Sequence, residues 1–302
     1  MTSRMLCICI VLLFHTTVPL STVAQTASTI KMGEQFNATL RRLDDKEGRF
    51  IKNIYVRTNT TVISPDAIMY KEQENDIPIF LEIDDSLVVS IKTSANSIQA
   101  YHCKKLFYNL PALLDIDLTG IDTSKCSNMD EMFRGCSSLK HFDVNVLDLS
   151  SVKYLRGMFQ DCESLEDIRL SDKIMPSLGT LESFLENCRS LRKAEFINLE
   201  TPELIRTLCM FSGCESLITA DLSGISTSKV VLMAGMFEGC RMLPYLDIKH
   251  FETNNASWTS RMFYGCEALK YLDISSMDTA NIETMKDMFY GSMKNGGQII
   301  VG

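Results

Sequence analysis

Apolar positions recur along this chain with a fixed period. Eight anchors, Phe107, Phe133, Phe159, Leu185, Phe211, Phe237, Phe263 and Phe289, stand 26 residues apart. Apolar residues follow six, nine and eleven places past the anchor, as in Leu113, Ile116 and Leu118, or Leu243, Leu246 and Ile248. A constant period of this length signals stacked repeats, and the apolar triplet predicts a short strand closing each unit. Sixteen places past the anchor come Thr123, Thr201, Thr227, Thr253 and Thr279, with Pro176 and Pro202 one place later in their copies. Thr caps helices well and Pro is tolerated in the first turn, so the pattern predicts a helix starting there. Cys126, Met129 and Phe133 supply an inward stripe at helical spacing, and Met132, Met158, Met236, Met262 and Met288 read as core beside it. Two places past the anchors stand Gly135, Gly213, Gly239, Gly265 and Gly291, or Asn109, Asp161 and Asn187. These residue types accept a left-handed backbone and predict the helix's C-terminal stop.

The fold class expected is therefore an α/β repeat solenoid, a leucine-rich-repeat-like right-handed stack of strand–loop–helix units with a small N-terminal β cap. The repeats occupy 106–302. Ahead of them, 50–105 reads as the cap: Ile77 to Ile83 and Leu87 to Ile91 alternate around Asp84-Asp85-Ser86, a hairpin signal, and Ile54-Tyr55-Val56 adds a strand. The stretch 25–49 is polar and unpatterned and reads as a mobile leader. Residues 1–24 read as a secretory signal peptide, with Arg4, the short apolar run Leu6 to Phe14 and a small-residue site at Thr22-Val23-Ala24. No later segment is apolar and long enough to span a bilayer. The chain closes on Ile299-Ile300-Val301-Gly302 with no visible cap, so its end rung is expected either to be cut short or to pair with something.

A net charge of −8 excludes a general nucleic-acid binder, which needs a basic face. Of 11 cysteines, six form a ladder three places past the anchors: Cys136, Cys162, Cys188, Cys214, Cys240 and Cys266. Equivalent positions in a stack point the same way, so buried thiols are favoured over disulfides, and a line of ligands does not enclose zinc.

The strand's outward positions are candidates for a partner-binding concave face. Ten places past the anchor they read Asp117, Asp143, Arg169, Glu195, Asp221, Asp247 and Asp273. Two readings compete for this column: a solvated face whose Asp side chains bond loop amides, or a site where Asp221, Asp247 and Asp273 take calcium or a basic partner. Tyr245 and Tyr271 sit beside it in adjacent copies, near Lys249, as a recognition patch or as a shield for the sheet. His15, His102, His141 and His250 lie in no nucleophile motif, and there is no Gly-rich phosphate loop, so no catalytic residue, cofactor or metal is assigned.

The strings MFSGCESLITADLSGISTS (210–228) and MFYGCEALKYLDISSMDT (262–279) resemble the repeat of the BspA-like leucine-rich-repeat surface proteins of microbes. The resemblance covers all the repeats. It implies an exported or cell-surface protein that binds host or neighbouring-cell proteins and catalyses nothing. A structural role, in which chains stack through open end rungs, is the alternative.

Overall fold

The computed structural model describes residues 27–43, 50–71 and 76–302. The signal-peptide segment 1–24 lies outside the described residues. The elements run β1 (Ser28–Ile30), α1 (Gly33–Leu40), β2 (Asn53–Arg57), β3 (Ile68–Tyr70), β4 (Ile79–Ile83), β5 (Val88–Lys92), β6 (Ile98–Ala100), β7 (Asp115–Asp117), β8 (Ile121–Asp122), β9 (Asp167–Ile174), β10 (Lys193–Glu200), β11 (Thr219–Asp221), β12 (Tyr271–Asp273) and β13 (Gln298–Ile300).

The N-terminal part differs from its expected form at one end. The stretch 25–49, read as a mobile leader, instead carries β1 and α1 in its described portion, and Ile30, Phe36 and Leu40 are fully buried. Three buried apolar residues spread over eleven positions made too sparse a pattern to register. Further on, β4 and β5 pair antiparallel, with the Asp84 carboxylate accepting the Ser86 and Val88 N–H groups in the turn. β5 pairs parallel with β2, and β2 with β7, so the sheet β3-β4-β5-β2-β7 runs from the cap into the first repeat.

From residue 102 onward the chain climbs in 26-residue rungs. His102, Asn128, Tyr154, Thr180, Arg206, Leu232, Trp258 and Thr284 bridge in parallel, each to the next. The rungs contain no α-helix, only one short 3-10 turn at Val144–Val146, and this overturns the expected α/β strand–loop–helix architecture: α1 is the only α-helix among the described residues. The stack consists of turns and small parallel strand groups.

The physical reason lies in where the amide hydrogens go. In the stretch expected to be helical, Met129, Glu131, Phe133 and Gly135 donate to Tyr154, Arg156, Met158 and Gln160 of the next rung at 2.8–2.9 Å. The residues between them, Met132, Arg134 and Cys136, close turns onto Met129, Glu131 and Phe133, three places back. An α-helix needs every amide for its own fourth-previous carbonyl. Left-handed residues enforce the alternative. They occur two places past the anchors, as at Asn109, Gly135, Asp161 and Gly213, and also two places before them, at Lys105, Glu131, Gly157, Ser183, Cys209, Gly235, Arg261 and Asp287. The second set lies inside the expected helix and breaks it.

The Thr residues expected as helix caps have a different task. Thr123, Thr201, Thr227 and Thr253 are buried. The Thr123 hydroxyl donates to Asp148 O (3.1 Å) and accepts from Asp148 N–H (2.9 Å), and Thr253 donates to Asp278 O (2.8 Å). They tie each rung to the next.

The core is a column of rings. Phe107, Phe133 and Phe159 stack at 5.4–5.5 Å, and Phe211, Phe237, Phe263 and Phe289 at 5.4–5.8 Å. Leu185 interrupts the row. There Phe184 and Phe196 carry the contact edge-on between Phe159 and Phe211.

The cysteine ladder lies against this column, with all six thiols buried. Each donates to the carbonyl of the preceding anchor, from Cys136 to Phe107 O (3.1 Å) through Cys266 to Phe237 O (3.2 Å). Burial pushes the Cys136 and Cys266 thiols up to about 12 and the other four well above the usual range.

Candidate functional site

Along the strand side of the stack, pairing is continuous only in part. β9, β10 and β11 form one parallel sheet, and a second group begins where Tyr245 bridges Tyr271 in β12. Between β11 and Tyr245 no strand pairing occurs. Pro244 explains the break. At its position in other rungs an amide reaches the rung before: Arg192 N–H to Glu166 O (2.8 Å), Ile218 N–H to Arg192 O (2.9 Å), Lys270 N–H to Pro244 O (3.0 Å). Proline has no N–H to give to Ile218.

A cleft of about 390 Å³ lies at this break, lined among others by Ile218, Asp221, Pro244, Tyr245, Asp247 and His250. Three of the residues expected to bind a partner, Asp221, Tyr245 and Asp247, thus share one cleft. Tyr271 stacks on Tyr245 with ring centres 6.4 Å apart and planes at 17°. Tyr245 is 52% exposed. Asp273 and Lys249 do not line the cleft. They form an ion pair at 3.2 Å in the next rung, so Lys249 answers a carboxylate of its own chain.

These observations meet the family comparison. The chain matches, over 90–195 and 179–300, the family described as Mycoplasma protein of unknown function, DUF285. It belongs to the DUF285 family. No curated protein matches it. The two DUF285 stretches together run from within β5 to the end of β13, so they include all six candidate site residues and leave β1 to β4 outside.

Electrostatics at the DUF285 strand face follow from local turns. The Asp117, Asp143, Asp221, Asp247 and Asp273 carboxylates each accept the N–H two places on, from Thr119, Asn145, Ser223, Lys249 and Ser275. At Asp117, Asp221 and Asp273 these bonds favour the charged form. The Ser223 amide holds Asp221 below the usual carboxylate range. The Ser275 hydroxyl and amide, with Lys249, hold Asp273 down to about 2. Asp221 and Asp247 form no ion pair among the described residues, unlike Asp273. Among the described residues no three His, Cys, Asp or Glu side chains gather as a metal site would require.

The sequence reading missed His250 and Pro244. His250 sits over the cleft with Nε2 3.0 Å from Leu222 O and its ring edge-on to Phe251. A proline inside an expected strand was the available signal, since such residues mark edges. It also missed a second aromatic pair, Tyr264 on Tyr290 at 5.4 Å, with the Arg261 guanidinium 3.7 Å from the Tyr264 ring centre. Trp258 lies in the bridged column and donates to Glu283 (3.3 Å).

Proposed function

We propose that this DUF285 chain is an exported, non-catalytic recognition protein that docks a protein partner at the Asp221–Tyr245 cleft. The observation that supports it most is the pairing of an exposed, stacked tyrosine ledge with two carboxylates that form no ion pair among the described residues. A tyrosine ledge offers flat apolar area at small entropic cost, and aromatic anchors dominate binding energy in protein interfaces. Asp221 and Asp247, on a chain of net charge −8, suit arginine or lysine side chains presented beside that apolar area. The export signal read in 1–24 and the resemblance to BspA-like surface proteins favour a partner outside the cell. No described helix is long and apolar enough to cross a membrane.

The test is surface binding of the full chain to immobilised basic extracellular-matrix proteins, beside the Tyr245→Ala/Tyr271→Ala and Asp221→Asn/Asp247→Asn variants. Losing a central aromatic anchor costs about 2 kcal/mol or more, so the tyrosine variant is expected to bind roughly 30-fold more weakly. The aspartate variant should bind more weakly too and lose most of the salt dependence of the wild type. No binding by the wild type, or binding that both variants keep, would overturn the proposal.

A further inference from the structure

Cys103 and Cys126 stand apart from the ladder. Both are buried and their sulfurs lie 3.0 Å apart, a sulfur–sulfur contact that no ladder thiol makes among the described residues, although Cys126 also donates to Asn128 O (3.4 Å). Each occupies a column that most other rungs fill with apolar residues. Four places before the anchors the column reads Cys103, Met129, Leu155, Leu181, Thr207, Met233, Thr259 and Met285; nineteen places past them it reads Cys126, Val152, Leu178, Leu204, Val230, Ala256 and Ile282. Members of the first column have their counterparts 23 residues on in the second. Only where the cap meets the first repeat do both hold sulfur. The backbones there are already joined, since Cys103 N–H donates to Asn128 O at 2.8 Å. An approach of about 1 Å brings the sulfurs to bonding distance.

We propose that Cys103 and Cys126 form an intramolecular disulfide that locks the first rung closed on itself. The oxidant is a small disulfide. The Cys126 thiolate attacks one of its sulfurs, giving a mixed disulfide and one released thiolate. Deprotonated Cys103 then attacks Cys126 Sγ and expels the second. Two protein thiols are oxidised, the small disulfide is reduced to two thiols, and the two thiol protons leave with them. Contact with Cys126, together with burial, pushes the Cys103 thiol well up, and contact with Cys103 holds the Cys126 thiol down. Because both are buried in the closed rung, exchange takes place while that rung is open or still folding. The bond encloses the Phe107 anchor and restricts the opened chain, which is how such a link stabilises.

The experiment refolds the full chain with glutathione disulfide, blocks remaining thiols with iodoacetamide, and maps peptides by mass spectrometry without reduction. The expected product joins the peptide carrying Cys103 to the one carrying Cys126, and the oxidised chain melts roughly 5–10 °C above the reduced chain. Cys126→Val, which installs the residue that Val152 and Val230 supply in other rungs, should abolish the link and melt close to the reduced wild type. Both cysteines recovered alkylated, Cys103 joined to a ladder cysteine instead, or a link that leaves the melting point unchanged would overturn the proposal.

Discussion

In the middle of the stack, β9 and β10 run eight residues each and pair side by side. In the rungs on either side, β7, β11 and β12 stop after three. The difference traces to one position. The short strands end on Asp117, Asp221 and Asp273, whose carboxylates take the amide two places on and turn the chain. The long ones carry Arg169 and Glu195 there instead, paired with each other at 3.5 Å. Those strands continue through a left-handed corner at Asp172 and Asn198, where the Asn198 amide donates to Asp172 (3.0 Å). The middle also gives up the stacked anchor ring, since Leu185 replaces Phe. Longer strand pairing adds to the rung-to-rung bonds there, where a stacked anchor ring adds to them elsewhere.

The largest effect that tests this contrast is in the ring column. Phe237→Ala, which removes a ring stacked on both sides, is expected to cost about 3–5 kcal/mol in urea denaturation. Leu185→Phe, which restores a ring to the row, crowds Phe184 and should also destabilise, by about 1–3 kcal/mol. A stabilised Leu185→Phe chain would mean that the middle is a failed copy of its neighbours and not a different solution.

Acid should separate the regions next. Asp117, Asp148 and Asp221 are held below the usual range by the Thr119 amide, by Ser150 and by the Ser223 amide, and Asp273 reaches about 2. Their folded values lie below the unfolded one of about 3.9. The stability they contribute is therefore complete above that pH and is lost as pH falls through the folded values. Asp130, raised by burial, acts in the opposite sense, and Asp172 in the middle is itself held down by Asn198. Between about pH 4 and pH 2, amide protection relative to the unfolded chain should fall at Thr119, Ser223 and Ser275 before it does along β9 and β10. Simultaneous loss would break the comparison.

The smallest effect is the most direct. Arg169→Asp places the stop residue in a long strand, and hydrogen exchange should show weakened protection at 171–174 with little change in overall stability. Unaltered protection would show that the Asp does not set strand length.

Much of this was legible. The period, the anchors, the ladder and the left-handed positions after each anchor all stand in the sequence, because each places one kind of residue in a column. The helix was not, although its signals were present. Cys126, Met129 and Phe133 have helical spacing, yet overlapping turns bury residues at the same intervals. What distinguishes the two is the left-handed set before the anchors, and Lys105, Glu131 and Arg261 give no sign of it. At the site, Tyr245 and the Asp column could be read from their register. The cleft could not, because it depends on Pro244 failing to donate to a residue 26 places earlier.

Every second amide in the turn segments belongs to the following rung, so no unit is complete by itself. Copies can therefore be gained or lost whole, with each new seam matching the old ones, while a single inserted residue would shift every donor off its acceptor. The one place where the spacing slips, Tyr271 to Gln298, has left-handed Met293 and Gly296 to absorb the extra residue in a side turn. Gene duplication in multiples of one repeat is the change in length that such a molecule tolerates best.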